Sequence, residues 1–333
     1  MNGPTIIAEI SCNHNGKKSS LLNHIKSAKK AGADIIKIQT YRPEDIVIRN
    51  NFKIGSGIWK GMNLWKLYSK AQTPFEWHED AFKLARKLKI PIFSSPFSIE
   101  AVRFLKKKFN PPIYKLASAE ITDLKLVKEI AITKKPIIIS TGMASFKEID
   151  KVLKIVSRYH KKILLMHCVS GYPTPDHEAN IGLIHKLKIR YPNIPIGLSD
   201  HTKNIYSSLA SVPLGIVAIE KHFKMSKNIK SLDSKFSIDP AQLTQLKNNC
   251  KKIYNTLGKA SKNAKSERET KKLRRSIFIT KFIKKNEKIS PKNINTFRPK
   301  IGICASEYFN ILGKYAKKNL SPNKPLYWSN LKR

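Results

Sequence analysis

Eight short apolar runs, each followed by a longer helical stretch, constrain the fold of this chain more than any other feature. The runs are rich in β-branched residues, as strands buried on both faces are. Strands that alternate with helices predict a parallel sheet, and eight such units in about 255 residues predict a (β/α)8 TIM barrel, an α/β fold. The runs are TIIAEI (5–10), DIIKIQT (34–40), IPIFSSPF (90–97), IYKLAS (113–118), PIIISTG (136–142), KILLMHCVS (162–170), IPIGLSDHT (194–202) and IVAIEKHF (216–223).

Helix-start signals between these runs support the alternation of strand and helix. In TPFE (73–76) we expect the threonine at the N-cap, the proline at the first helical position and the glutamate at the third. SFKE (145–148) has the pattern of another capping box, and Asp239-Pro240 is expected to open the last long helix. A doubly wound open sheet is the alternative architecture, but no G-x-G-x-x-G follows the first run.

The 333 residues are enough for one large domain and one small domain. We assign residues 1–257 to the barrel, 258–275 to a polar linker or extended helix end, and 276–333 to a small C-terminal domain. The last segment has short alternating strands separated by proline and asparagine turns. Because so small a domain has a marginal core, we expect it to dock onto the barrel or onto a partner subunit.

The composition favours a cytoplasmic protein that does not contact membranes. A hydrophobic content of 41% supports an ordinary globular core. No apolar run approaches the ~20 residues that a membrane helix requires, and the first residues lack the pattern of a signal peptide. Cys12, Cys168, Cys250 and Cys304 are scattered and form no C-x-x-C pair, as expected for a reducing compartment.

The net charge of +41 raises nucleic-acid binding as an alternative function. However, 53 of the 64 basic residues are lysines, and they are spread along the whole chain in exposed helical contexts such as SAKKAG, LARKLK and FLKKKF. No arginine-rich or aromatic-interleaved arm and no zinc-finger or RRM signature is present. We therefore interpret the charge as a solvated lysine surface and expect no nucleic-acid partner.

Polar side chains recur at the point where the apolar runs end. In a barrel of this type, catalytic groups lie at the carboxyl ends of the strands. The pattern therefore predicts a site at that end. The residues concerned are Glu9, Asn13, His14, Lys37, Gln39, Ser94, Ser95, Lys115, Ser118, Glu120, Ser140, Thr141, His167, Ser170, Tyr172, Ser199, Asp200, His201, Glu220 and His222.

Lys37 and Lys115 lie within apolar strands, where an unpaired ammonium group is costly, so each needs an anion. Hydroxyl groups near helix starts, at Ser118, Ser140 and Thr141, are a common anion cradle. Two lysines with such hydroxyls suit a phosphorylated carboxylate. The alternative is that each lysine pairs with a glutamate of the barrel.

His201 and His222 end adjacent strands and could share one divalent ion. The alternative is that each is an ordinary buried histidine with satisfied hydrogen bonds. Two imidazoles completed by oxygen ligands favour Mn²⁺ or a similar metal over Mg²⁺. His167 is a weaker candidate, and His14 could either bind substrate or brace the first loop.

Seven motifs in order resemble the sialic acid synthase family: AEISCNHNG, IKIQT, YKLASAE, ISTGM, HCVSGYPTP, GLSDHT and IEKHF. Its members condense phosphoenolpyruvate with an amino sugar to give nine-carbon sugar acids. The resemblance covers nearly the whole chain, because the tail is similar to that family's antifreeze-like (SAF) domain. Within the family, the segment 55–78 together with FSSPF and DSKFS most resembles the pseudaminic acid synthase branch.

The resemblance implies a role for each matching residue. Glu9 looks like a catalytic acid near the metal or in proton handling, and His201 and His222 look like catalytic metal ligands. This chain departs from the usual pattern at Ser95, at Ser170 and at Ser231-Leu232, where relatives often have threonine, asparagine and Gly-Pro. The implied phosphoenolpyruvate contacts are Lys37, Ser95, Lys115, Ser118, Ser140, Ser170 and Ser199, and the implied sugar contacts are Glu120, Tyr172, Asp233 and Arg298.

The implied reaction joins phosphoenolpyruvate, water and 2,4-diacetamido-2,4,6-trideoxy-L-altrose to give pseudaminate and phosphate. The implied cofactor is Mn²⁺, with Mg²⁺ and Co²⁺ as alternatives. Arg298 matches a tail residue that reaches the sugar in a partner subunit, which implies a domain-swapped homodimer. Synthesis of N-acetylneuraminate or legionaminate is the nearest alternative. An inactive barrel with a carbohydrate-binding tail is a more distant alternative.

Overall fold

The computed structural model describes residues 3–258, 260–262 and 264–332. The chain divides into two compact units, Met1–Gly258 and Lys259–Arg333. The segment 258–275, which we predict as a linker, includes the short helix Glu267–Thr270. Lys259 and Asn263 of that segment lie outside the described residues. So do Met1, Asn2 and Arg333, at the ends of the two predicted domains.

The first unit contains a closed barrel of eight parallel strands, which confirms the predicted fold. Each strand pairs with the next along the chain, and the last pairs with the first. Every strand lies inside its predicted run but is shorter. The strands are β1 (Thr5–Glu9), β2 (Ile35–Thr40), β3 (Ile92–Pro96), β4 (Tyr114–Leu116), β5 (Ile137–Ser140), β6 (Ile163–Cys168), β7 (Ile196–Asp200) and β8 (Ala218–His222).

Helices follow the strands and cover the outside of the barrel. They are α1 (Lys18–Lys30), α2 (Pro43–Ile46), α3 (Leu64–Ala71), α4 (Trp77–Lys87), α5 (Ile99–Lys108), α6 (Leu124–Ile132), α7 (Phe146–Ser157), α8 (Leu183–Arg190), α9 (Tyr206–Ser211) and α10 (Pro240–Leu257). None of the helices in the described ranges is long and apolar enough to cross a lipid bilayer.

Two of the three predicted helix starts are confirmed. The capping box of SFKE (145–148) is present, and Asp239 caps α10 with Pro240 at its first position. The prediction for TPFE (73–76) is wrong, because α4 begins only at Trp77. Thr73 is buried, and its hydroxyl lies 3.1 Å from Nε2 of His14 rather than capping the helix.

Side chains alternate between the inside of the barrel and the layer between barrel and helices, as the pleat requires. The outer layer is a large apolar core, which includes Ile6, Ile36 and Ile219. Inside the barrel, one layer of inward side chains forms an apolar floor. Two residues further along the strands, the next inward side chains are polar and form a layer above that floor. The floor is formed by Ile7, Phe93, Ile138, Met166 and Ala218.

The second unit has its own small core around an antiparallel pair, β9 (Ser276–Ile279) and β10 (Ile294–Phe297). It also contains the short helices α11 (Glu267–Thr270) and α12 (Tyr308–Ile311). Isolated bridges between its loops complete the β-rich architecture. Its buried core comprises Ile277, Ile279, Ile283, Ile289, Ile294, Ile303, Ile311, Ala316, Leu320, Leu326 and Leu331.

Candidate active site

A cavity of about 260 Å³ opens at the carboxyl ends of the barrel strands. Most of the residues predicted for the site line it: Lys37, Lys115, Ser118, Glu120, Ser140, Ser170, Tyr172, Ser199, His201, His222 and Asp233. Glu9 and Ser95 are buried in the barrel without lining this cavity. Arg298 belongs to the second unit, where it is exposed.

Each of the two inward lysines has a carboxylate partner from the barrel itself. Lys37 Nζ lies 2.7 Å from Glu220 Oε1 and 2.9 Å from Glu9 Oε2. Lys115 Nζ lies 2.8 Å from the other oxygen, Glu220 Oε2. The structure thus has the pairing that the sequence left open as the alternative. Because two lysines face two carboxylates, the formal charges of this cluster sum to zero.

Burial and charge act in opposite directions on this cluster. Burial lowers the pKa of Lys37 to about 8, although Glu220 counteracts it. Burial alone would raise the pKa of Glu220, but the ammonium groups of Lys115 and Lys37 hold it well below its ordinary range. Glu220 is therefore an ionised bridge between the two lysines. Ser199 Oγ adds a hydrogen bond to its Oε1 at 3.3 Å.

Hydroxyl groups converge beside this cluster around Gly142. The Gly142 N–H donates to Ser118 Oγ at 3.1 Å, and a Cβ at Gly142 would come within 2.4 Å of Ser170 Oγ. A side chain at this position would therefore force the Ser170 and Ser118 hydroxyls to move. Ser140 Oγ is buried and has no hydrogen-bond partner among the described residues. A buried polar atom without a partner marks a place where a ligand would supply the missing hydrogen bond.

The imidazoles of His201 and His222 lie side by side in the cavity, with ring centroids 5.3 Å apart. His201 Nδ1 lies 2.9 Å from the Val169 carbonyl oxygen, which favours the tautomer that leaves Nε2 free to bind a metal. His222 Nδ1 lies 3.3 Å from Asp233 Oδ2. Burial lowers the pKa of His222, which favours the neutral form that a metal ligand requires.

A metal ion at this pair would need further ligands. In the part of the chain that the structure describes, no group of three or more His, Cys, Asp or Glu side chains has an arrangement suited to a metal. The two imidazoles therefore fit an ion whose remaining positions are filled by water or substrate oxygens. Glu9 is engaged elsewhere, since its carboxylate contacts Lys37 and accepts a hydrogen bond from Gln39 Nε2.

Three of the four residues predicted to meet the sugar, Glu120, Tyr172 and Asp233, line the cavity. The Tyr172 ring centroid is 4.4 Å from that of His201. Burial alone would raise the pKa of Asp233, but the neighbouring His222 holds it below its ordinary value. Burial raises the pKa of Glu120 to about 7, and its Oε2 has no hydrogen-bond partner among the described residues.

Comparison with known proteins decides the family. The model of the NeuB family matches residues 24–262, and that of the SAF domain matches residues 274–332. The chain belongs to the NeuB family.

Among NeuB-family relatives, the pseudaminic acid synthase of Campylobacter jejuni is 39% identical over 95% of this chain and 93% of its own length. The N,N'-diacetyllegionaminic acid synthase of the same species is 36% identical over 94% of this chain and 96% of its own. A solved N-acetylneuraminic acid synthetase from Leptospira borgpetersenii, in complex with citrate, is 31% identical. It has a TM-score of 0.73 and covers 81% of this chain and 90% of its own.

Some cavity residues of this NeuB-family chain have no role in the sequence-based prediction. Glu220, the bridge between the lysines, is among the polar residues predicted at the strand ends, but no role is predicted for it. Its signal is the period-two spacing to His222, which puts both side chains inside the barrel. The segment 55–78 enters the sequence analysis only through its resemblance to one branch of the family, so the apolar lining of the cavity is not predicted. That lining includes Trp59, Leu67, Tyr68, Phe97, Met143, Leu232 and Phe236.

Other strand-end residues serve the structure around the site. His14 braces the first loop, since its Nε2 contacts Thr73 and its Nδ1 accepts a hydrogen bond from the Gly16 N–H. His167 Nε2 lies 2.9 Å from the Ala179 carbonyl oxygen. Neither histidine lines the cavity. The contacts of His14 are those expected for the bracing role, one of its two alternatives.

Proposed function

We propose that this chain is a pseudaminic acid synthase. It condenses phosphoenolpyruvate with 2,4-diacetamido-2,4,6-trideoxy-L-altrose and water to give pseudaminate and phosphate. The observation that carries the proposal is the convergence of Lys37, Lys115, His201 and His222 on one cavity. The 39% identity to a pseudaminic acid synthase over nearly the whole chain supports the choice of product.

In this proposal the polar layer holds phosphoenolpyruvate. Lys37 and Lys115 donate hydrogen bonds to its anionic groups while Glu220 keeps both ammonium groups charged and in place. Ser118, Ser140 and Ser170 bind phosphate or carboxylate oxygens, with Ser199 beside them. Ser95 lies on β3, the strand beside β4, and supports this cradle. Its buried hydroxyl has no partner in the described residues.

His201 and His222 would hold the metal ion, for which we propose Mn²⁺, with Mg²⁺ and Co²⁺ as alternatives. Such an ion supplies Lewis-acid polarisation of the sugar aldehyde when bound. Tyr172, Glu120 and Asp233 orient the open-chain sugar so that its aldehyde carbon faces phosphoenolpyruvate. Glu9 acts through Lys37, because its carboxylate contacts that ammonium group.

The bonds and protons of the proposed reaction balance as follows. The methylene carbon of phosphoenolpyruvate forms a bond to the aldehyde carbon, and the aldehyde oxygen takes up a proton. The resulting oxocarbenium carbon of phosphoenolpyruvate binds water, which gives up a proton. The new hydroxyl then becomes the keto group as the C–O bond to phosphate breaks, and its proton goes to the inorganic phosphate that leaves. Bridging-¹⁸O phosphoenolpyruvate checks this route, since the label is expected in phosphate.

The decisive experiment supplies phosphoenolpyruvate, Mn²⁺ and one sugar at a time, and weighs the product by mass spectrometry. The sugars are the diacetamido-trideoxy-L-altrose, the legionaminate precursor and N-acetylmannosamine. We expect efficient turnover only with the first sugar. His201→Ala is expected to abolish metal-dependent phosphate release. Full release by that variant, or a preference for another sugar, would contradict the proposal.

We also propose a homodimer in which Arg298 of one copy reaches the sugar in the other. The proposal is supported by the exposed position of Arg298, which makes no ion pair among the described residues. Mixing inactive His201→Ala and Arg298→Ala chains tests it. Exchange of subunits should restore about a quarter of wild-type activity, because half of the dimers then carry one complete site. If activity stays absent after proven exchange, the shared site is wrong.

The four cysteines are free thiols in the structure. This supports our proposal that the enzyme works in the reducing cytoplasm.

A further inference from the structure

The segment 47–63 between α2 and α3 brings a tryptophan to the rim of the cavity. The segment folds back on itself through a bridge between Lys53 and Asn63. Trp59 lies within this turn, is half-buried and lines the cavity.

Three contacts hold the Trp59 indole in place. Its Nε1–H donates to the Leu232 carbonyl oxygen at 3.2 Å. Its ring centroid lies 5.5 Å from that of Tyr172 and 6.3 Å from that of Phe236. Tyr172 in turn contacts the imidazole of His201, and Phe236 contacts that of His222. The indole therefore forms an outer aromatic layer around these rings.

The lining of the cavity combines polar and apolar side chains. Lysines, serine hydroxyls and imidazoles contribute to it, and so do the apolar side chains of Trp59, Leu232 and Phe97. The one polar group of Trp59 is already bonded to Leu232, so its ring offers a ligand only apolar contact.

We propose that Trp59 makes the site selective for a 6-deoxy sugar, through contact with the methyl group at C6. This inference depends on the proposed function. In the proposed complex the aldehyde end of the sugar lies near phosphoenolpyruvate in the polar layer, and its opposite end lies against Trp59, the outermost ring of the aromatic group. A methyl group gains contact there, whereas a hydroxymethyl group loses hydrogen bonds to water without replacement.

The size of the effect follows from the small difference between the two groups. An apolar pocket distinguishes ligands that differ by one small group by about 10- to 100-fold. We therefore expect the wild-type enzyme to prefer the 6-deoxy sugar over its 6-hydroxy analogue of the same configuration by that factor in kcat/KM.

The test measures kcat/KM for both sugars in three variants. Trp59→Ala should lose at least tenfold with the 6-deoxy sugar but less than threefold with the 6-hydroxy analogue. Trp59→Phe keeps an aromatic face but loses the hydrogen bond to Leu232, and should keep most of the preference. Trp65→Ala is the matched control, because Trp65 lies on the adjoining helix, packs near Arg49 and does not line the cavity.

Equal losses of Trp59→Ala with both sugars would overturn the inference and make Trp59 only an anchor of its loop. Loss of the preference in Trp59→Phe would also overturn it, because the hydrogen bond rather than the ring would then be decisive. A wild-type enzyme that turns over both sugars equally well refutes the inference but leaves the proposed reaction intact. Absence of product with either sugar refutes both.

Discussion

Two buried lysine clusters lie on opposite faces of the same barrel wall, and they differ in what their ammonium groups contact. The inner cluster joins Lys37 and Lys115 through Glu220 and lines the cavity. The outer cluster pairs Lys221 with Asp200 and does not line it. Glu220 and Lys221 are consecutive residues of β8, so the pleat alone sends one side chain to each face.

The outer cluster is saturated with hydrogen bonds. Lys221 Nζ contacts Asp200 Oδ2 at 3.0 Å, the Thr202 carbonyl at 2.6 Å and the Thr202 hydroxyl at 3.2 Å. Asp200 also accepts hydrogen bonds from Thr202 and Ser208. An ammonium group has three N–H donors, and here all three have partners. This cluster therefore stabilises the wall that carries His201 and His222.

The inner cluster has donors to spare. Among the described residues, Lys115 Nζ donates to Glu220 Oε2 and has one weak contact, at 4.0 Å, with Met166 Sδ. Its remaining hydrogen-bonding capacity is available to a ligand in the cavity. The comparison teaches that burial and pairing do not distinguish a structural lysine from a functional one, whereas unused donors beside a cavity do.

The largest effect is expected on stability, in the outer cluster. Lys221→Met leaves the Asp200 carboxylate buried without its cation, which costs about 3–5 kcal/mol in the free energy of unfolding. Urea denaturation measures this loss. The double variant Asp200→Asn/Lys221→Met removes both charges and should recover part of it. If the single variant is within about 1 kcal/mol of wild type, the outer cluster does not have the structural role assigned to it.

Lys115→Met should show the opposite behaviour, with a loss in catalysis rather than in stability. Removal of one charged donor to a reacting phosphate or carboxylate costs about 10²–10³-fold in rate. Stability should fall less than in Lys221→Met, because Glu220 keeps Lys37 at 2.7 Å. Steady-state kinetics with phosphoenolpyruvate, paired with urea denaturation, separates the two effects. A Lys115→Met enzyme within tenfold of wild-type kcat/KM would remove the distinction between the clusters.

The sequence was sufficient for the barrel and for the end of its strands at which the cavity opens. Eight apolar runs rich in β-branched residues predict the eight buried strands. The alternation of side chains along each strand then places Lys37, Lys115, His201 and His222 on the inner face. The sequence left open that each lysine pairs with a glutamate of the barrel, but it did not show that Glu220 is the shared partner, because these contacts join residues 105 and 183 positions apart in the chain. Similarly, TPFE has the local pattern of a helix start, but a tertiary contact between Thr73 and His14 takes its hydroxyl.

The apolar lining of the cavity could not be assigned for a related reason. The segment 55–78 shows many aromatic residues, but periodicity does not tell which of them faces the barrel mouth. That depends on a hydrogen bond between Trp59 and Leu232, which are 173 positions apart. Local patterns therefore predict the strands, whereas contacts between distant loops select the substrate-facing side chains.

Glu120 sharpens the comparison, because it lines the cavity but has no ion pair with a lysine in the described ranges. The lysines keep Glu220 and Asp200 ionised, whereas burial raises the pKa of Glu120 to about 7. In the complex that we propose, the ionised carboxylate of Glu120 accepts hydrogen bonds from the hydroxyl and amide N–H groups of the sugar, and protonation weakens this acceptor.

The expected result is a KM for the sugar about tenfold higher at pH 6 than at pH 8, measured at saturating phosphoenolpyruvate. Glu120→Gln cannot titrate, so its KM should be raised at pH 8 and nearly constant across this range. Glu178→Gln, at an exposed site outside the cavity, serves as the matched control and should retain the wild-type profile. A Glu120→Gln enzyme that keeps the tenfold change would assign the titration to another group. Glu120 would then not differ in its protonation from the lysine-paired carboxylates Glu9, Glu220 and Asp200, and the contrast with them would no longer hold.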